Sequence, residues 1–404
     1  MRFQISYFED LLAAGYARDT IQLTQEIVPL LEKAIDLIYD LEGELGSIIE
    51  QVEEFHYRGC TLAPPHPHEL AQQLFYLELE ADYETFYNAI RQYAEILGKE
   101  GLEKYRQLVD AELEKLPPTE KQTINDSLRR RNLTQMKETL VEVTGTWEDL
   151  VETIAQDLSL SHDYVRIAEL YQQNKQLDQA IEWIQRGLHD CQNWPDSQKD
   201  FQIRSFESHL MKLYQEKGQF DEVLAIAWKH FSHSPSLQLY QTLKEKACKA
   251  GNWEYWQQQA IAYIEKAIAQ LQTNPKSPPY EIQNKSSLLV QIYLQEGEIE
   301  RAWQQAQKDG CDSHLWMELA AKKEKDAPED ALSVYLPRIE PLIKQTHNEA
   351  YNQAITLLFK IEEIMTRLNR EKEFTEDLNQ LQITYKRKRN FIKFSQNRGL
   401  MENK

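Results

Sequence analysis

The sequence predicts an all-α protein, with an N-terminal helical bundle followed by an α-solenoid of irregular helical hairpins, on three observations. A helix-turn-helix phrase recurs in the second half, over Leu170 to Ala180, Leu213 to Val223 and Ile292 to Ala302, and more loosely around Gly251-Asn252-Trp253-Glu254 and Pro328-Glu329-Asp330-Ala331. Each copy has an apolar helix end, a short polar turn with Gly or Asn, an apolar residue, and an acid expected to cap the next helix, which is how stacked hairpins are punctuated. The helix formers Gln, Glu, Leu, Ala and Lys dominate throughout. No stretch sustains the period-two alternation of a half-buried strand.

Residues 1–118 are expected to form the bundle. Leu30, Leu31, Ala34, Leu37, Ile38 and Leu41 recur at three- and four-residue spacing, as do Leu70, Leu74 and Leu77, and Phe75 with Leu79. Pro64-Pro65-His66-Pro67 ends one helix and Pro117-Pro118 closes the region, because proline has no N–H and disfavours helix in the residue before it. From 119 to 404 the hairpins run in series. The acids after the turns, Asp178, Asp221, Glu254, Glu300 and Glu329, stand 43, 33, 46 and 29 residues apart, against about 34 for a tetratricopeptide unit. The array therefore reads as tetratricopeptide-like but irregular. Thr144-Gly145-Thr146-Trp147-Glu148-Asp149 begins the series, Thr273 to Pro279 is an inserted loop, and a pair from Asn348 to about Arg389 closes it. Ala168, Ala180, Trp183, Ala225, Trp228 and Trp303 read as packing residues rather than ligand cages.

Composition excludes several classes. The 404 residues, 41% hydrophobic, can fill a core. No run approaches the roughly 20 apolar residues of a membrane span, and the first ten residues lack the apolar run of a signal peptide, so a cytoplasmic protein is expected. Cys60, Cys191, Cys248 and Cys311 are too scattered for a disulfide framework. The net charge of −19 argues against a surface that is a nucleic-acid platform throughout. Charge is uneven, however: residues 384–404 carry +6, leaving −25 on the rest.

Gly43-Glu44-Leu45-Gly46, Phe55-His56-Tyr57-Arg58-Gly59-Cys60, Pro67-His68-Glu69-Leu70 to Phe75, and Phe86-Tyr87-Asn88-Ala89 to Leu102 resemble the region C-terminal to the zinc finger in bacterial SWIM zinc finger proteins. Pro328 to Tyr335, Asn348-Glu349-Ala350-Tyr351 and Lys386 to Phe391 resemble the end of the same proteins, so the likeness covers nearly the whole chain. A SWIM finger needs Cys-x-Cys followed by Cys-x-His to close a tetrahedron around zinc. No two cysteines here are that close, and none has His two positions later. The resemblance implies the helical companion region standing alone, as a separate gene product or a fragment of a longer frame, and carries no zinc-dependent activity over.

Among candidate sites, His56 and Cys60 lie one helical turn apart, with His66 and His68 after a proline break; together they could share a metal, but they lack a paired Cys signature. The expectation is a core thiol, loop histidines, no metal and no cofactor. Glu78, Glu80, Asp82 and Glu84 read as a solvated face or cap rather than an acid and base. No phosphate loop, nucleophile elbow or His-Glu-x-x-His occurs, so no catalytic residue is assigned and the chain is read as non-enzymatic. Lys386-Arg387-Lys388-Arg389, with Tyr385, Phe391 and Phe394, has two readings: contact with nucleic-acid phosphate or an acidic partner, or a last helix whose cations complement its own dipole over an apolar anchor. Arg129-Arg130-Arg131 is treated the same way.

The expected function is a protein-protein interaction scaffold, a right-handed array whose concave surface holds a protein segment. Tyr171, Asn174, Tyr214 and Tyr293 are the expected groove residues. The alternative is an accessory subunit of a nucleic-acid-processing complex, its basic C-terminal segment on DNA or RNA.

Overall fold

A computed structural model describes residues 6–37, 44–81, 83, 85–118, 122–158, 161–193 and 196–400. Among them are twenty α-helices and no strand. The chain divides into two compact units, residues 1–213 and 214–404.

The first unit holds α1 (Ser6–Ala13), α2 (Ala17–Leu37), α3 (Glu44–Leu62), α4 (Pro67–Leu79), α5 (Ala89–Lys115), α6 (Ile124–Thr144), α7 (Trp147–Ile154), α8 (Ser161–Gln173) and α9 (Leu177–Asp190). A single 3-10 turn, Cys191–Asn193, leads to α10 (Asp196–Lys217). Pro64 and Pro65 separate α3 from α4 as expected, and α4 starts on Pro67, where the missing N–H costs nothing. Pro117-Pro118 likewise follows the end of α5. The chain then re-enters the same core: Leu133, Met136 and Leu140 of α6 are buried with Phe75 and Tyr105. The boundary expected at 118 thus falls inside the first unit, because proline ends a helix locally but does not decide where the next apolar face packs. α6 and α7 both start with capping boxes, Thr123 with Asp126 and Thr146 with Asp149. Leu150, Val151, Ile154 and Ile167 form a smaller core with Trp147, Tyr171 and Trp183 against it.

The second unit continues with α11 (Phe220–His233), α12 (Leu237–Ala250), α13 (Trp253–Thr273), α14 (Pro279–Gln295), α15 (Ile299–Asp309), α16 (Ser313–Lys323), α17 (Pro328–Lys344), α18 (Asn348–Arg367), α19 (Glu371–Thr384) and α20 (Arg389–Asn397). From α11 to α19 each helix packs on the next, so the unit is a tetratricopeptide-like series of hairpins. Alternate helices also meet, α12 on α14, α14 on α16, and α18 on α20. The expected loop after Thr273 lies between α13 and α14, and the closing pair is followed by one more helix, α20. Phe231, Tyr240, Tyr335 and Phe391 are wholly buried. Trp303 is buried and Trp228 half-buried, but Ala225 faces solvent and Ala227 packs in its stead.

Among the described residues six turns between helices share one device, that at Gly15 between α1 and α2 included. At Gly218 the chain enters the left-handed region, φ 77°, which costs little without a Cβ. The Gly218 N–H then donates to the Gln215 carbonyl at 3.1 Å and the Gln219 N–H to the Tyr214 carbonyl at 2.8 Å. Two carbonyls otherwise orphaned at the end of α10 are thereby satisfied. Gly251, Gly297, Lys175 and Asn369 hold the same place, with the longer-range bond at 3.1, 2.8, 2.9 and 2.8 Å. The acids after these turns are not caps. Gln176, Gln219, Asn252 and Glu298 occupy the cap positions without side-chain cap bonds, and Asp178, Asp221, Glu254 and Glu300 sit in the first turn, where they favour the helix dipole.

Candidate functional site

Between α16 and α18 the row of alternate helices opens. The gap is a cavity of about 640 Å³ whose floor is the C-terminal half of α17, a volume within the range of binding clefts. Met317 of α16, Pro341 and Leu342 of α17 and Leu357 of α18 give it an apolar lining. Gln345, Asn352, Gln353 and Thr356 add uncharged polar groups at the rim. Two prolines, Pro337 and Pro341, lie inside α17, and each removes one N–H from the helical ladder. Arg338 stands between them. Its guanidinium donates to the Val334 carbonyl at 2.6 Å, and among the described residues it meets no carboxylate. It is half-buried, and that burial holds its pKa below the usual arginine value. Lys360, at the other end of the lining, is tied to Glu324 at 3.0 Å.

None of the four expected groove residues lines this cavity or either of two further cavities among the described residues of the second unit. Tyr171 is half-buried and packs edge-on against Trp147, ring centroids 5.3 Å apart. Asn174 is exposed but spends its amide on the Leu170 carbonyl at 2.8 Å, closing the end of α8. Tyr214 is half-buried near the end of α10. Tyr293 is only 3% exposed, its hydroxyl between Glu265 at 3.3 Å and Arg301 at 3.1 Å, so it is a packing residue and offers no side chain to a partner. The groove residues that sequence reasoning missed are Arg338, Met317, Leu342 and Gln353. The one local signal was an arginine bracketed by two prolines in an otherwise helical run, Pro337-Arg338-Ile339-Glu340-Pro341.

The basic motif forms the turn from α19 into α20. Lys386, Arg387 and Arg389 are exposed and Lys388 half-buried, and none has an ion pair among the described residues. They lie beyond the C-terminus of α19, where cations are favoured, and at the N-terminus of α20, where they are not. Phe391 is buried against Tyr351, the anchor role expected of it. Arg398, just past the C-terminus of α20, reaches the Thr356 hydroxyl, on the cavity rim, at 3.4 Å. In the other basic run Arg129 pairs with Glu112 at 3.1 Å and Arg130 donates to the Pro117 carbonyl at 3.2 Å, so both serve the first unit's own structure.

The metal-like residues are divided. His56 is wholly buried, with Nδ1 at 2.8 Å from the Tyr93 hydroxyl and Nε2 at 3.0 Å from Gln25, whose amide goes on to Gln73. Burial lowers its pKa to about 4 and raises that of neighbouring Cys60 to about 12, so imidazole and thiol are both neutral. His66 and His68 are exposed at the start of α4, where His66 Nδ1 accepts the His68 N–H. The acidic stretch needs a correction. Glu80 is exposed as expected, but Glu78 is buried, 8% exposed, and accepts from the Tyr105 hydroxyl at 2.7 Å and the Asn88 N–H at 2.8 Å. Burial pushes its pKa up to about 7 against the pull of those two bonds. Asp82 and Glu84 lie outside the described residues.

Residues 9–244 match the sequence profile of DUF6880, described as a family of unknown function. The chain belongs to this family. No curated protein matches the DUF6880 chain. Among solved structures it is similar to Naa15/Naa10 bound to HypK-THB, at 18% identity and a TM-score of 0.31, covering 72% of this chain but 39% of that one. It is also similar to the apo quorum sensor NprR from B. thuringiensis, at 14% identity and TM-score 0.24, covering 94% and 99% of the two chains. A human IFIT1 dimer with PPP-AAAA is similar at 14% identity and TM-score 0.22, covering 89% and 92%.

Proposed function

We propose that this DUF6880 chain is a non-enzymatic, cytoplasmic scaffold that holds a protein segment. The observation that carries the reading is the open groove between α16 and α18, set in a series of hairpins in which each helix packs on the next. A preformed cleft of this kind lowers the ordering cost of an extended or helical segment. The distribution of titratable groups supports it: groups whose pKa values burial shifts strongly, His56, Cys60, Glu78, Tyr93 and Tyr105 in the first unit and Tyr240 and Tyr335 in the second, are enclosed among core side chains, and none lines the cavities described above. No helix among the described residues is long and apolar enough to cross a membrane.

A second reading, an accessory subunit of a nucleic-acid-processing complex, is favoured by the unpaired cations Lys386, Arg387 and Arg389 and by the likeness to bacterial SWIM zinc finger proteins. Affinity capture of the tagged chain from its native cytoplasm, with and without nuclease, separates the two. A stoichiometric protein partner that survives nuclease is the outcome expected of the scaffold. Recovery only through nucleic acid, lost when Lys386, Arg387, Lys388 and Arg389 are all replaced by Ala, would put the second reading first.

A further inference from the structure

We infer that the groove between α16 and α18 takes an acidic peptide segment, with an aliphatic side chain seated among Met317, Leu342 and Leu357 and an adjacent carboxylate received by Arg338. The inference rests on the scaffold reading and names the class of its ligand. A guanidinium has five N–H donors in a planar fork, and the described partners of Arg338 use one edge of it, on the Val334 carbonyl. In this chain of net charge −19, several buried or half-buried cations have acids: Lys244 is paired with Glu296 at 2.8 Å, Lys323 with Asp330 at 2.6 Å, and Arg166 with Glu138 at 2.5 Å. Arg338 has none, although it lines an open cleft. Partial removal of a cation from water without a counter-charge is unfavourable, and a ligand carboxylate bound through two parallel N–H bonds reverses that deficit.

The surroundings extend the same preference. Thr356 on the rim is touched by Arg398, and α20, which packs on α18, carries Arg389 and Lys393, exposed and without an ion pair among the described residues. Only one acid, Glu349 at the start of α18, is in the lining. The apolar floor decides between an acidic peptide and a nucleic acid. Single strands are gripped by stacking bases on aromatic rings, and no Phe, Tyr or Trp lines the cavity. Met, Leu and Pro instead suit an aliphatic side chain.

The test is a random-peptide display selection on the immobilised full chain, followed by titration of a synthetic peptide from the enriched set. Enriched peptides are expected to carry Asp or Glu next to Leu, Ile, Val or Met. Arg338→Gln is expected to weaken the synthetic peptide about tenfold or more. Thr356→Glu places a like charge on the exposed rim without touching the floor, and is expected to do the same; it keeps the test sound should Arg338→Gln misfold. Enrichment of peptides without acids, wild-type affinity in both variants, or retention of labelled oligouridylate in place of any peptide would overturn the assignment. Affinity capture of the two variants tells the failures apart. A nuclease-resistant protein partner kept by wild type and variants alike leaves the scaffold standing and removes the groove, whereas no protein partner on the wild type removes both.

Discussion

The two units bury polar groups to different extents. In the first, His56, Tyr93, Gln25 and Gln73 form a hydrogen-bonded chain, and Glu78, Tyr105 and the Asn88 N–H a second, both inside the hydrophobic core. In the second, the buried polar side chains among the described residues are Ser286, Ser287, Ser395 and one cation, Lys323, held between Glu300 and Asp330, and the half-buried Arg338 meets no acid among the described residues. A closed network specifies one arrangement of helices because each member is costly to orphan. An open, incompletely paired cleft leaves binding capacity. The first unit thus reads as the part built for a fixed core and the second as the part that keeps surface in reserve.

The largest effect expected from this contrast is on pH dependence in the first unit. His56 has a pKa of about 4 when folded, against 6.5 for free imidazole. Between those values the unfolded chain binds the proton and the folded one does not, so stability is lost as pH falls from 6.5 toward 4. Glu78 has a pKa of about 7 against 4.5. There the folded chain holds the proton, so stability is lost as pH rises from 4.5 toward 7, and Glu53, also raised by burial, acts in the same direction. Each of the two larger shifts corresponds to about 3 kcal/mol. Their slopes oppose one another between pH 4.5 and 6.5, where the wild type should change little. Glu78→Gln removes the larger part of one side of the balance, and urea unfolding of that variant should show stability rising with pH across this window. A flat profile in the variant would mean that the buried networks do not set the first unit apart.

A smaller effect compares one hydroxyl in each unit. Tyr93→Phe leaves His56 Nδ1 with only the Cys60 sulfur at 3.8 Å, and the orphaned nitrogen should cost about 1–3 kcal/mol. Tyr240 donates to Glu296 at 3.1 Å, but Glu296 also accepts from Lys244 at 2.8 and 2.9 Å. Tyr240→Phe should therefore cost about 1 kcal/mol or less. Equal losses in denaturant midpoints would erase the distinction between closed and open polar groups.

Much of the architecture was legible because turns are local. The stretches around Lys175, Gly218, Gly251 and Gly297 each carry their own instruction, a polar turn and one left-handed residue between apolar helix ends. The turn at Asn369 carries the same instruction but went unread, since Leu368-Asn369-Arg370 has neither Gly nor the repeated phrase. The interior of the first unit was not legible for the opposite reason. His56 meets Tyr93 from 37 residues away and Glu78 meets Tyr105 from 27, so a carboxylate in an acidic run passed for a solvated one. The groove was less legible still: it exists where α16 and α18 stand apart over α17, which is a property of the spacing between helices and not of any one segment.

The smallest expected effect uses the turns themselves to compare the units. At Gly297 an added Cβ would meet nothing within 4 Å, so Gly297→Ala reports backbone conformation alone, and the left-handed φ should cost about 1–2 kcal/mol. Lys175 occupies the equivalent place in the first unit at φ 61°, exposed and with no side-chain partner among the described residues. Lys175→Gly removes that strain but loosens the unfolded chain, which offsets part of the gain, so a net stabilisation of up to about 1 kcal/mol is expected. Urea midpoints of the two variants should move in opposite directions. Should Lys175→Gly instead destabilise, the first unit must hold that turn through its side chain, and the shared device would not be shared after all.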